Sequence, residues 1–175
     1  MNISRESEIN LINILIDQDV ISGKDLIDIK KISTEGQKSQ LDAVFELNLC
    51  DEDKILDLLV KEQSLEVVDL SNMQVTEEVK SVLPSNYINM NFIAPFKVEN
   101  KVLHIAIPDI SKLSLMRNLK TITKMEIELH AAKISHISDF IEKLLAEGET
   151  TIQSIQKKNK EKIQTFDYEV DENAE

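Results

Sequence analysis

Histidine and cysteine side chains are the groups in this chain most suited to metal binding or nucleophilic chemistry. The three histidines are His104, His130 and His136, and no two have the three- or four-residue spacing that places metal ligands on one helix face. Cys50 is remote from them in sequence and has no second cysteine for an internal disulfide. A small buried hydrophobic role fits Cys50 better than a nucleophilic one. We therefore predict no metal site and no catalytic residue, while convergence of the histidines in the folded chain stays open.

Clustered carboxylates offer a second candidate for chemistry. Asp51, Glu52, Asp53 and Asp57 superficially resemble a calcium loop, but the central glycine and the terminal glutamate of an EF-hand are missing. A capped helix whose first turn is acidic accounts for the same residues, because carboxylates are favoured at a helix N-terminus. These acids indicate a helix start.

Nucleotide-phosphate binding is also not indicated. The sequence has no G-x-x-x-x-G-K-[ST] loop, and its three glycines, Gly23, Gly36 and Gly148, are too far apart to build one. We therefore predict that the chain is not an enzyme by itself and that it carries no cofactor.

The overall charge restricts the class of partner. The formal net charge of -12 argues against binding to nucleic acid or anionic lipid, because such affinity depends on Lys and Arg neutralising phosphates. No stretch approaches the roughly 20 apolar residues that span a bilayer, and no signal peptide is visible. These features predict a cytoplasmic protein with no direct membrane insertion.

An internal repeat with an offset of 29 residues organises the first 65 residues. Seven positions of the first copy, Leu15, Asp19, Val20, Ile21, Ser22, Leu26 and Ile29, recur as Val44, Asn48, Leu49, Cys50, Asp51, Ile55 and Leu58. In the first copy Asp19 suits a residue in the left-handed conformation that ends a helix, and Ser22 suits the N-cap of the next helix; in the second copy Asn48 and Asp51 take these places. The repeat predicts two helical hairpins, joined by a polar connector at residues 33–39 that contains Gly36.

The pattern changes after Gln63. Residues 65–68 favour a short strand, residues 76–83 a capped helix that ends at Pro84, and residues 87–98 and 101–107 two strands joined by a turn at Glu99-Asn100. A helix is predicted at 110–119 and an alternating strand at 124–130. Ser135 or Ser138 is predicted to cap a final helix whose apolar stripe includes Phe140.

These patterns predict an α+β fold in three segments. Residues 1–63 form a helical-hairpin subdomain, residues 64–147 form a small α/β sandwich with a short mixed sheet, and residues 148–175 form a charged tail, helical or disordered.

The order of short motifs after Gln63 resembles a known family. Val67-Val-Asp-Leu70, Leu83-Pro84, Ala94-Pro-Phe96 and Val102-Leu-His-Ile-Ala-Ile-Pro-Asp109 follow one another as in the amino-terminal domain of the ATPases of type II secretion and type IV pilus assembly. The resemblance covers residues 9–147. The tail, Phe166–Glu175, is similar to the acidic linker that precedes the motor domain in that family, so we expect the chain to be an amino-terminal fragment of a longer ATPase.

Some members of that family bind cyclic di-GMP through two tandem motifs of the form R-L-G-x-x-L-x-x-x-G. The resemblance places the Arg and Gly positions of these motifs at six residues here: Asn10, Ile12 and Asp19 in the first copy, and Ser39, Leu41 and Asn48 in the second. Asn and Ser cannot reproduce the stacking and paired hydrogen bonds of a guanidinium. We therefore predict a scaffold that does not bind cyclic di-GMP with useful affinity.

The resemblance implies a non-catalytic adaptor that docks a secretion or pilus ATPase to the cytoplasmic domain of an inner-membrane platform protein. Recruitment to the inner membrane would then occur through that partner, and the chain's own ATPase domain is a second expected partner. Glu52 and Asp53 are the candidate partner surface, since the exposed faces of the helical hairpins are acidic. A sensing module for a nucleotide second messenger and a stand-alone motility or secretion regulator are the alternatives.

Overall fold

A computed structural model describes residues 3–146, apart from the side chains of residues 62 and 63. Within that part the helices are α1 (Arg5–Asp17), α2 (Gly23–Gly36), α3 (Gln40–Glu46), α4 (Glu52–Gln63), α5 (Glu77–Val82), α6 (Ser85–Asn91), α7 (Met116–Thr123) and α8 (134–146). The strands are β1 (Glu66–Val67), β2 (Ala94–Glu99), β3 (Val102–Ile107) and β4 (Glu126–Ala131), and a 3-10 helix spans Ile110–Leu115. The α+β prediction is confirmed.

The predicted helix stops and caps of the repeat are confirmed. Asp19 and Asn48 both lie in the left-handed region, with φ of 55° and 53°. Ser22 caps α2 by accepting a hydrogen bond from the Asp25 N–H, and the Asp25 carboxylate accepts from the Ser22 N–H in return. The Ser22 hydroxyl also donates to the Asp25 carboxylate, at 2.6 Å, and this bond together with the one from the Ser22 N–H lowers the pKa of Asp25. Asp51 caps α4 by accepting from the Lys54 N–H. Local backbone chemistry thus sets both hairpins.

The predicted connector between the hairpins is shorter in the structure. Helix α2 continues through residues 33–36, and the chain reverses at Gln37, whose φ is 48°. The Ser33 hydroxyl donates to the Lys38 carbonyl across this turn at 2.7 Å. The polar residues of 33–36 therefore extend the helix, and Gly36 is its last residue.

The four strands form one mixed sheet in the order β1-β4-β3-β2. Strands β1 and β3 each pair with β4 in parallel, and β2 pairs with β3 as an antiparallel hairpin. The hairpin turn lies at Asn100-Lys101, both with positive φ, so it is one residue later than predicted. Positive φ at both central residues is typical of a turn that matches the twist of the flanking strands.

The segment before β2 was predicted as strand, and that prediction is wrong. Residues 85–91 form α6, which begins after Pro84 and ends at Phe92, a residue with φ of 51°. Proline at φ of -60° is suited to a helix start. Residues of this segment have only a weak intrinsic preference for helix. Burial of Ile88 within the helix, and of Phe92 and Ile93 just after it, stabilises the helix against the core.

One apolar core joins the helical part, α1–α4, to the sheet part that follows it. Buried side chains from Leu11 to Leu144 belong to the same cluster, including those of β3, β4 and α8. Lys112 strengthens the junction, since its ammonium is buried and donates to the Ser4 hydroxyl at 3.1 Å and to the Glu6 carboxylate at 3.4 Å. No helix within residues 3–146 is long and apolar enough to cross a membrane. The predicted tail, 148–175, lies outside the described residues.

Candidate functional site

A groove lies between α1 and α2 in the helical part. Its volume is about 310 Å3, and its apolar wall comes from Ile9, Ile12, Ile16 and Leu26. Ile9 keeps half of its surface exposed although it lies on the wall. A groove of this size is at the lower end of small-molecule sites, and an exposed apolar wall also suits a protein side chain.

The rim of the groove carries both signs of charge. Arg5 and Lys30 supply the cations, and Glu8 supplies a carboxylate. The Glu8 carboxylate accepts a hydrogen bond from the Leu41 backbone N–H at 3.2 Å, which ties α1 to the first turn of α3. Leu41 N–H is one of the donors that a helix start leaves without an intrahelical partner, so Glu8 has a structural role.

The residues predicted at the cyclic di-GMP motif positions include core side chains, a helix cap and two left-handed stops. Leu41 is fully buried and Ile12 nearly so, so both belong to the core, and Ile12 also borders the groove. Ser39 caps α3 by accepting from the Asp42 N–H. Asn10 is half-buried. With Asp19 and Asn48 acting as left-handed stops, these positions mainly serve the architecture.

Glu52 and Asp53, the candidate partner surface, contact the start of α8. The Glu52 carboxylate accepts hydrogen bonds from the Ser135 N–H at 2.7 Å and from the Ser135 hydroxyl at 2.5 Å. Asp53 pairs with Lys133 at 2.7 Å, and this hydrogen bond raises the pKa of Lys133. The prediction that Ser135 or Ser138 caps α8 is wrong, because the helix begins at residue 134 and both serines lie inside it. The Glu52 carboxylate satisfies the Ser135 N–H from outside the helix.

Two of the three histidines, His104 and His130, converge in a way that sequence spacing did not indicate. His104 Nδ1 and His130 Nε2 are 3.0 Å apart on adjacent strands, and Glu128 lies beside both. Burial lowers the pKa of His130, partly opposed by Glu128. His136 lies elsewhere, 3.2 Å from Asp69. The available signal was the alternation of β4, which places residues 128 and 130 on one face.

Cys50 is half-buried against the core, and its thiol donates to the Asp51 carbonyl at 3.3 Å. Burial raises the pKa of this thiol, which favours the unreactive protonated form. Cys50 is thus less buried than predicted, while its packing against the core fits a small hydrophobic side chain.

A family model matches the sequence of the sheet part, and solved structures share the fold of most of the chain. The model of one family, the MshEN domain, matches residues 63–151. A structure of MshE with cdg aligns with a TM-score of 0.53 at 20% identity, covering 77% of this chain and 97% of that chain. A structure of the N-terminal domain of XpsE aligns with a TM-score of 0.54 at 18% identity, covering 78% of this chain and 94% of that chain. No curated protein matches the sequence significantly. At these identities the structural likeness shows the fold.

Proposed function

This chain belongs to the MshEN domain family, and on that basis, together with its resemblance to the amino-terminal domains of type II secretion and type IV pilus ATPases, we propose that it is a non-catalytic adaptor. In this role it docks a secretion or pilus-assembly ATPase to the cytoplasmic domain of an inner-membrane platform protein. The sequence contains no loop of the Walker type, so the proposal assigns ATP hydrolysis to a motor domain and protein contact to this domain.

The observation that carries the proposal is the pair of exposed isoleucines on α1 and α2. Ile9 is 52% exposed on the wall of the groove, and Ile27 is 68% exposed next to Leu26 on α2. Large exposed apolar side chains are typical of protein-interaction surfaces, because a complex that buries them removes apolar surface from water, and part of that gain is offset by the cost of association. The rim charges supply orientation for a polar partner.

Charge substitution of these isoleucines tests the docking proposal. Ile9→Asp and Ile27→Asp should each weaken binding to the purified cytoplasmic domain of the platform protein by at least about tenfold, because a buried apolar contact is replaced by a carboxylate that must be desolvated. Binding is measured by titration calorimetry, and circular dichroism checks the fold. Met90→Asp is the matched control, since Met90 is 74% exposed on α6 of the sheet part.

Equal affinity of all three variants and the parent would contradict docking through α1 and α2. Equal loss in Met90→Asp would point instead to a general charge effect.

Glu52 and Asp53 remain part of the proposed partner surface. The Asp53 side chain is 71% exposed although it pairs with Lys133, so it is accessible to a partner. Glu52 is turned towards Ser135, so its replacement changes the junction as well as the surface. Asp53→Asn is therefore the cleaner variant for a partner-binding test, with Asp57→Asn on the same helix as its control.

A nucleotide-sensing module is the second candidate function, favoured by Arg5 and Lys30 on the rim of the groove. Against cyclic di-GMP, the side chains at the two motif Arg positions are Asn10 and Ser39, and Ser39 is engaged in capping α3. Neither supplies a cation or the two parallel N–H donors of a guanidinium.

Titration with cyclic di-GMP separates the two functions. We expect no heat of binding and no shift in melting temperature at ligand concentrations up to about 100 μM, because ligand stabilisation vanishes when the concentration lies far below Kd. Micromolar or tighter binding would contradict this and favour the sensing module. Arg5→Ala and Lys30→Ala would then show whether the groove is the site.

A further inference from the structure

His104, Glu128 and His130 form a compact cluster, called here the His/Glu cluster, on two neighbouring parallel strands. In the register of β3 and β4, His104 lies opposite Glu128 and Ala106 lies opposite His130. Side chains alternate between the faces of a strand, and partners in register share a face. All three side chains therefore project from the same face of the sheet, held by paired backbone on both strands.

The ligand atoms of the cluster are close enough to share one ion. His104 Nδ1 and His130 Nε2 are 3.0 Å apart, His104 Nδ1 is 3.7 Å from Glu128 Oε2, and His130 Nε2 is 3.5 Å from Glu128 Oε1. A tetrahedral Zn²⁺ with bonds of about 2.0–2.1 Å places its ligand atoms roughly 3.3 Å from one another. The distance between the ring nitrogens lies below that value, and the distances from each nitrogen to its nearer Glu128 oxygen lie above it. Coordination therefore requires the side chains to rotate so that both nitrogens and one carboxylate oxygen surround the ion.

The surroundings give the cluster one closed side and one open side. The Phe96 ring lies 5.2 Å from the His130 ring and 6.0 Å from the His104 ring, and both Phe96 and His130 are buried. Glu128 keeps 51% of its side-chain surface exposed. The apolar wall fixes the two imidazoles, while the exposed carboxylate leaves room for a solvent ligand.

Nearby charge on the sheet favours a cation. Glu66 on β1 lies opposite His130 in the parallel register, and its charge acts on that ring. Lys97 on β2, the residue opposite His104, forms an ion pair with Glu99. The ion pair with Glu99 thus partly neutralises the positive charge of Lys97 near the cluster.

A direct hydrogen bond between two neutral imidazoles would explain the short distance between the two rings, but nothing more. It does not account for the carboxylate that approaches both ring nitrogens within 3.7 Å. Two imidazoles with one carboxylate are a donor set suited to Zn²⁺ and other divalent transition metals. Among the described residues 3–146, these are the side chains of His, Cys, Asp or Glu whose possible metal-ligand atoms come together in a group of at least three.

We propose that His104, His130 and Glu128 form a binding site for one divalent transition-metal ion, with Zn²⁺ as its probe. The fourth position of the ion is open to water or to a donor atom from a partner. The site lies on the sheet part and is separate from the α1–α2 groove, so it stands or falls independently of the docking proposal.

The experiment uses the untagged full chain after removal of metal by a chelator. Titration calorimetry should show one equivalent of Zn²⁺ bound with a Kd in the micromolar range or tighter, and the melting temperature should rise with Zn²⁺ concentration. Co²⁺ in place of Zn²⁺ should give the visible absorption of a four-coordinate ion. His104→Ala and His130→Ala should each reduce Zn²⁺ affinity by more than about 100-fold, beyond the loss typical of an outer hydrogen-bond partner.

Two further variants keep the test decisive. Glu128→Gln removes the anionic ligand at an exposed position and should weaken Zn²⁺ binding while the melting temperature of the metal-free chain is unchanged. His136→Ala removes a histidine outside the cluster and should leave Zn²⁺ affinity unchanged. The proposal is overturned by an absence of micromolar binding, by binding that persists in the three cluster variants, or by an equal loss in His136→Ala.

Discussion

Replacing Leu41 with glycine is expected to lower the free energy of unfolding by about 4–5 kcal/mol. Leu41 is fully buried in α3, so its removal forfeits the transfer energy of the side chain and leaves a cavity. Glycine within a helix costs about 1 kcal/mol more. The measurement is urea unfolding, with the midpoint compared at constant m-value. If the glycine variant does not fold, Leu41→Ala should still fold and show a loss of about 3 kcal/mol.

Asn48→Gly is the matched control because both positions correspond to glycines of the cyclic di-GMP motif. Asn48 is exposed and has φ of 53°, a conformation that glycine adopts without strain. We expect its unfolding free energy to stay within about 0.5 kcal/mol of the parent. A loss below about 1 kcal/mol in Leu41→Gly would contradict the core role of Leu41.

The contrast has a functional consequence for the second repeat copy. One of its two motif glycine positions accepts glycine readily, whereas the other contributes a core side chain. Recovery of the motif therefore requires compensating changes in the core, because an average domain has only about 5–15 kcal/mol of stability to lose. This supports the proposal that the repeat persists as architecture.

The helical hairpins were predictable because their signals are local. A serine or aspartate N-cap acts on a backbone donor two or three residues away, and a left-handed stop is decided by a single residue. Ser22, Asp51, Asp19 and Asn48 accordingly occupy the predicted conformations. The α5 helix and its Thr76 cap follow the same rule.

Features that depend on distant contacts were not predictable in this way. Helix α6 contains residues such as Tyr87 and Ile88 that suit a strand equally well, and tertiary burial decides between the two. The His/Glu cluster requires the pairing of β3 with β4, which joins residues 26 positions apart. Spacing rules for one helix face carry no information about such a pairing.

The junction between α4 and α8 is the second feature whose loss should have a large effect. Glu52→Ala removes a half-buried carboxylate that accepts two hydrogen bonds from Ser135. Hydrogen bonds to charged groups contribute roughly 1.5–3 kcal/mol, so we expect a loss of about 2 kcal/mol in unfolding free energy. That corresponds to a melting temperature lower by about 6 °C in a chain of this size. Calorimetry and urea unfolding measure the two quantities.

Three control measurements test whether the stability lost in Glu52→Ala comes from the contact between α4 and α8. Glu142→Ala removes an exposed carboxylate of α8 and should change stability by less than about 0.5 kcal/mol. Ser135→Ala keeps the backbone donor, so it should cost less than Glu52→Ala, and the double variant should show coupling between the two residues. Amide exchange should accelerate at Ser135 in Glu52→Ala, since its N–H loses its acceptor. Unchanged exchange together with full stability would show that the contact with α8 contributes little, and Glu52 would then be free to serve the proposed partner surface.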